Sequence, residues 1–129
     1  MKRTQCLGVV ALLGLTFVLA GADAPKAMSE KDKIEALIKA VGEMKDAKFV
    51  RNGTEYDGKD AADHMRRKWK RVESEVKTAG DFIRLAGTKS YETGKVYVVR
   101  FKDGKEVESA TFLSEKLAEI EKAAAPATK

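Results

Sequence analysis

The chain has 129 residues, 43% of them hydrophobic and 35% charged, with 25 Lys and Arg against 20 Asp and Glu. That length holds one domain of ordinary size, which excludes an enzyme with separate cofactor and substrate lobes, and the apolar content excludes a chain disordered in bulk. A single cysteine, Cys6, excludes a disulfide framework, and a single histidine, His64, excludes His-rich or Cys/His zinc sites.

Lys2 and Arg3 precede an uncharged stretch over residues 7–20 that runs on into Ala20-Gly21-Ala22. A basic start, a short apolar run and small residues before a cut read as a secretory signal peptide over residues 1–22. The run is shorter than the roughly 20 residues a membrane span needs, and Cys6 lies before it, where no lipid anchor forms. Cleavage after Ala22 removes Lys2 and Arg3, which leaves 23 basic and 20 acidic residues, a net charge of +3 and no cysteine. Part of the basic balance therefore belongs to the leader, and nucleic acid is not an expected partner. No membrane span is expected after cleavage.

Residues 23–28 read as a linker, residues 29–122 as a single globular domain and residues 123–129 as a flexible tail. Ser29 with Asp32 three positions on opens a first helix, in which Ile34, Leu37, Ile38, Val41 and Met44 recur at helical spacing. Residues 48–51 read as extended, Asn52-Gly53 as a hairpin turn and residues 54–56 as the return strand. Asn52-Gly53-Thr54 also spells a glycosylation sequon, but the turn accounts for it. Asp57 caps a second helix predicted to run to about Val76, with Ala61, Ala62, Met65, Trp69, Val72 and Val76 on one face.

Arg66, Arg67, Lys68, Lys70 and Arg71 fall on the remainder of that helix. Asp63 with Arg67, and Glu73 with Lys77, are acid-first pairs at i,i+4 that favour an exposed helix. The basic run reads as a solvated face or as a surface for an anion or envelope polyanion. His64 lies at its border with the apolar stripe, as a structural hydrogen-bonding residue, an anion contact or an acid-base group. Thr78 with Asp81 caps a short third helix carrying Phe82, Ile83 and Ala86 and stopped at Gly87. Residues 95–101 alternate as a strand, Asp103-Gly104 is a turn, and Thr111 caps a last helix with Phe112, Leu113, Leu117 and Ile120 inward. The expected fold is α+β, a small single domain of four helices with two short β-hairpin regions.

An ordered set of motifs spans this domain. It runs from Phe49-Val50-Arg51-Asn52-Gly53 and Tyr56 through Ala61-Ala62-Asp63-His64-Met65-Arg66-x-Lys68 to Thr78-Ala79-x-Asp81-Phe82-Ile83, Ser90 and Thr93-Gly94-Lys95-x-Tyr97. Over residues 33–121 the chain resembles the YfeK-like family of small secreted bacterial proteins, a domain of unknown function. Lys89 departs from a stretch rich in serine in that family, and Val96 from a common proline. The resemblance implies an exported bacterial protein, periplasmic or secreted, and carries no activity over.

The chemistry is read from the residues. Without a cysteine in the cleaved chain there is no thiolate nucleophile, and His64 is the one imidazole base. Ser74-x-x-Lys77 lacks the companion elements of penicillin-recognising enzymes, and Gly87-Thr88-Lys89-Ser90 lacks the spacing of a phosphate loop. No calcium loop occurs. No catalytic residue, metal ligand or cofactor is assigned. The expected site is a small anion-accepting cleft made by Arg51 and Tyr56 from the hairpin, His64 and Lys68 from the second helix, and Ser90, Lys95 and Tyr97 from the later loop. The expected function is a non-enzymatic binding or accessory module whose partner is a small anionic ligand or an envelope protein. The alternatives are an acid-base enzyme using His64 and a structural envelope protein acting through protein contacts.

Overall fold

Residues 27–124 are described by a computed structural model. The signal peptide expected over residues 1–22, residues 23–26 of the linker and residues 125–129 of the tail lie outside the described residues.

Ser29 caps α1 (Glu30–Gly42) by accepting from the Asp32 backbone N–H at 3.0 Å, and the apolar stripe buries Ile34, Leu37, Ile38 and Val41. The chain then forms β1 (Ala47–Arg51) and β2 (Thr54–Tyr56), joined by Asn52 and Gly53, both at positive φ. A two-residue turn of this hand requires that conformation at both positions, and Asn-Gly accepts it at low cost. Asp57 caps α2 (Gly58–Val72), and Thr78 with Asp81 forms a complete capping box on α3 (Ala79–Ala86). The strands β3 (Val98–Phe101) and β4 (Glu106–Glu108) lead directly into α4 (Ser109–Ala124).

The two hairpins share one sheet. β1 pairs antiparallel with β3, which gives the order β2-β1-β3-β4. α1 packs against α2, α3 and α4. The core between helices and sheet centres on Leu37, Ile38, Val41, Phe82, Val99 and Leu113. Charge dominates the other face of the sheet, where Arg100 on β3 bonds both Glu106 on β4 and Glu55 on β2. The fold is therefore α+β in two layers, with the sheet joined across the centre.

Several boundaries differ from the sequence reading. α2 ends at Val72 and tightens into a 3-10 turn over Glu73–Glu75, after which Val76 is extended. Two carboxylates at a helix C-terminus oppose the helix dipole, and an extended Val76 lets the chain reverse into α3 while that side chain still packs on the core. The ladder of β3 begins at Val98 because residues 95–97 pair instead with residues 88–90. The Tyr97 N–H donates to the Thr88 carbonyl at 2.9 Å, and the Ser90 N–H to that of Lys95 at 3.0 Å. α4 begins at Ser109, two residues before the expected cap at Thr111, because β4 turns straight into it. It continues through Ala124, into the segment expected to be tail.

Among the described residues neither expected i,i+4 ion pair forms. Glu73 leaves the α-helix, and the basic face reaches α1 instead through Arg66 and Glu35 at 3.3 Å. Gly87 ends α3 at a negative φ, so it is not a left-handed cap. A Cβ there would meet Leu113 Cδ1 at 2.5 Å, so the close approach of α4 is what calls for glycine.

Candidate functional site

Arg51 is the last residue of β1, one step beyond the pair Val50 and Val98, which places it beside Tyr97. On the far side of Tyr97, Ser109 donates its backbone N–H to the Tyr97 carbonyl at 2.8 Å. Directly opposed residues of an antiparallel sheet project from the same face, so Arg51, Tyr97 and Ser109 form a row facing the helices. Phe49, two residues before Arg51, and Tyr56, opposite Phe49, extend that row toward β2. Across the gap lies the first two-thirds of α2, contributing Asp60, Ala61, Asp63, His64, Met65 and Arg67. Together these residues line a cleft of about 350 Å³. That size is within the range of small-molecule sites, about 300 to 1,000 Å³.

Behind the cleft wall lies Lys68, which the helical pattern had placed on the solvated face. It is only 5% exposed. Its Nζ donates to the Lys89 carbonyl at 2.8 Å and to the Tyr97 hydroxyl at 3.1 Å. It also lies 4.3 Å and 4.8 Å from the ring centroids of Tyr91 and Tyr97. A carbonyl, a phenol and two ring faces thus replace water around the ammonium, while the alkyl stem packs with the helix. No carboxylate pairs with Lys68 or Arg51 among the described residues.

An ammonium can only donate, so the Tyr97 hydroxyl accepts from Lys68, and it also lies 3.4 Å from His64 Nε2. Burial, and then the charges of Arg51, Lys68, Arg67 and Arg71, lower the His64 pKa to about 4. Burial, followed by Arg51 and Arg71, lowers that of Lys68 to about 8. Burial raises the Tyr97 phenol. Near pH 7 the imidazole is neutral, the phenol protonated and Lys68 largely charged, a field set by cations in a partly dry site.

Two polar atoms lining this space have no partner. Arg51 Nε is buried and unbonded, and so is the hydroxyl of Ser109, a residue only 1% exposed. Each such group costs about 1 to 3 kcal/mol if nothing pairs with it. Among the described residues, no group of three or more His, Cys, Asp and Glu side chains is placed to hold a metal ion.

Four of the expected residues, Arg51, Tyr56, His64 and Tyr97, meet at the cleft. Lys68 supports it from behind through Tyr97. Ser90 and Lys95 do not line it, because the loop that carries them folds on itself. Ser90 is buried, its hydroxyl accepting from Asn52 Nδ2 and the Thr93 N–H, both at 3.4 Å. Lys95 is exposed and donates its backbone N–H to Thr93 Oγ1. Thr93 Oγ1 in turn donates to Asn52 Oδ1, tying the loop to the first hairpin turn. Asp60, Asp63, Arg67 and Ser109 were not anticipated. Arg67 follows His64 by three positions on a helix, which was a legible signal. Ser109 depends on a strand register that no local pattern specifies.

A family of unknown function, DUF5329, matches residues 28–121. The chain is 35% identical over 97 residues to the uncharacterized protein YfeK of Salmonella typhimurium, covering 75% of this chain and 77% of that protein. No solved structure matches it. The match spans both hairpins, α2 and the loop before β3, and so includes every element that builds the cleft; the chain belongs to this YfeK-like family of unknown function.

Proposed function

We propose that this chain is an exported, non-enzymatic binding module that takes a small anionic ligand in the cleft between β1, β3 and α2. The observation that carries this reading is the pair of cations Arg51 and Lys68, neither in an ion pair among the described residues, with Lys68 buried and Arg51 Nε buried and unbonded. A cation removed from water is costly until an anion or a full set of acceptors replaces the solvent. Lys68 has its acceptors, and Arg51 still needs one. A small anion supplies it, and a guanidinium suits a planar oxyanion through two parallel bonds.

The Lys68, Tyr97 and His64 chain supports a second reading, an acid-base enzyme using His64. The low pKa of His64 weighs against it, since an imidazole held near 4 is a weak base near neutral pH. For a protein acting through broad apolar contacts there is less support. Among the described residues the large exposed apolar side chains are Tyr91 and Val96, and the Tyr91 hydroxyl is already bonded to the Leu85 carbonyl.

Export to the periplasm is part of the proposal and rests on the leader motif. Intact mass of the protein from its native envelope fraction should give a chain beginning at Asp23, and a species retaining Met1 contradicts export. Binding is tested by thermal unfolding of the parent and of His64→Ala against a panel of anionic, neutral and cationic metabolites. The proposal expects anions alone to raise the parent midpoint, because a ligand at 100 times its Kd adds about 2.7 kcal/mol. No anion-dependent shift in the parent, together with a large loss of stability in His64→Ala, makes the cluster purely architectural.

A further inference from the structure

We propose that the ligand of this cleft is a small monocarboxylate with an apolar body and a second polar group, a hydroxyl or carbonyl. This rests on the anion-binding reading above and adds the chemical class. Three observations lead to it.

The first is the floor. Phe49, Ala61 and Met65 line the cleft and belong to the buried core. At about 350 Å³ the space exceeds the need of a lone oxyanion. A phosphate or sulfate on Arg51 would leave the small edges that Phe49, Ala61 and Met65 still present to the cleft against water or its own charged oxygens, whereas an aromatic or branched aliphatic body covers them.

The charge balance is the second. Asp60 and Asp63 line the same cleft as Arg51 and Arg67, and neither carboxylate has a cation in ion-pair range among the described residues. One negative charge on the ligand meets Arg51. A second would be held close to these carboxylates, where like charges repel. Citrate-like polyanions are disfavoured on that account.

The third is Ser109, whose unpartnered hydroxyl lies in a residue only 1% exposed. Ser109 is on the far side of Tyr97 from Arg51, and adjacent strands are about 4.8 Å apart. Two strand spacings, about 10 Å, therefore separate the Arg51 and Ser109 backbones, more than the two oxygens of one carboxylate bridge. A hydroxyl or carbonyl a few bonds from the carboxylate satisfies Ser109 while the carboxylate satisfies Arg51. Tyr97 lies between them, its phenol already engaged by Lys68 and His64.

The test is isothermal titration calorimetry at fixed ionic strength on the protein recovered from cells, with four probes: 3-phenyllactate, 3-phenylpropanoate, citrate and inorganic phosphate. The expected result is that 3-phenyllactate binds at least tenfold more tightly than citrate or phosphate and several-fold more tightly than 3-phenylpropanoate. Arg51→Gln should weaken both phenyl carboxylates at least tenfold. Ser109→Ala, which removes an unbonded hydroxyl and should leave the thermal midpoint in place, should abolish the advantage of phenyllactate over phenylpropanoate. Tighter binding of phosphate or citrate, lost in Arg51→Gln, overturns the monocarboxylate class and leaves the anion site standing. Phenyllactate binding that Arg51→Gln does not weaken, or binding of none of the four, overturns the anion site as well. An advantage of phenyllactate that survives in Ser109→Ala overturns the role of Ser109.

Discussion

The Lys68 ammonium lies 3.1 Å from the Tyr97 hydroxyl, and that contact joins the middle of α2 to the start of β3 beneath a loop that also gives Lys68 its carbonyl partner. The ammonium is buried without a carboxylate, so the fold favours its neutral form relative to the unfolded chain. The Lys68 pKa falls from 10.5 to about 8. Above pH 8 the folded state loses this proton while the unfolded state keeps it to about 10.5, so stability should rise with pH across that window. Lys68→Met retains the stem and removes the charge. Its stability at pH 7 should stay within about 1 kcal/mol of the parent, since the relieved ammonium offsets the unpaired Lys89 carbonyl. Urea unfolding of both proteins at pH 7, 8.5 and 10 reads the difference, and the parent should gain on the variant as pH rises.

His64 titrates in the opposite region with the same sign. Its folded pKa of about 4 lies below the ordinary 6.5, so its contribution is fully present above pH 6.5 and is lost as pH falls toward 4. Because the ring is only partly buried, the effect is on the order of 1–2 kcal/mol. The parent should lose more stability than His64→Gln between pH 6.5 and 4. The imidazole resonances, followed by NMR, should titrate near pH 4 in the folded protein.

Trp69 packs edge-on against Phe82 at 5.9 Å between ring centroids, on the side of α2 that faces α3. It is partly buried and belongs to the rim of the core. Trp69→Ala should cost about 3 kcal/mol, the lower end for a buried aromatic. That is a large part of the 5 to 15 kcal/mol that typically hold a domain of this size. A thermal midpoint within a few degrees of the parent would place Trp69 outside the core.

Gly58 opens α2 where it passes the end of α1. A Cβ there would run into the carbonyl oxygens of Val41 and Met44, which are backbone and cannot turn aside. Gly58→Ala should therefore destabilise the protein by about 1 to 3 kcal/mol, although alanine is the better helix former. Equal or higher stability in denaturant unfolding would contradict this contact.

What the sequence made legible was local. The caps at Ser29, Asp57 and Thr78 and the Asn52-Gly53 turn depend on neighbours within four residues, and each forms where the spacing predicts it. The union of the hairpins through β1 and β3 depends on residues some fifty apart, such as Phe49 and Val99, so it had no local signature. Lys68 was misplaced for a related reason. A lysine amid four other basic residues reads as solvated by charge alone, and only the later loop, supplying Tyr91, Tyr97 and the Lys89 carbonyl, makes its burial possible. Arg51, Tyr56, His64 and Tyr97 were named from motifs on the first hairpin, the second helix and the later loop, and all four line the one cleft. Ser109 was missed because its position follows from the strand register.

The central claim is that the cleft holds an anion on Arg51. Its most direct test is an NMR titration of the protein with sodium acetate at constant ionic strength, following the Arg51 Nε–H and the His64 ring. The account predicts a saturable shift of the Arg51 Nε–H and, because an anion offsets the surrounding cations, a rise of the His64 pKa from about 4 as acetate binds. An Arg51 resonance that stays in place, or drifts without saturating, while His64 keeps its pKa would contradict it.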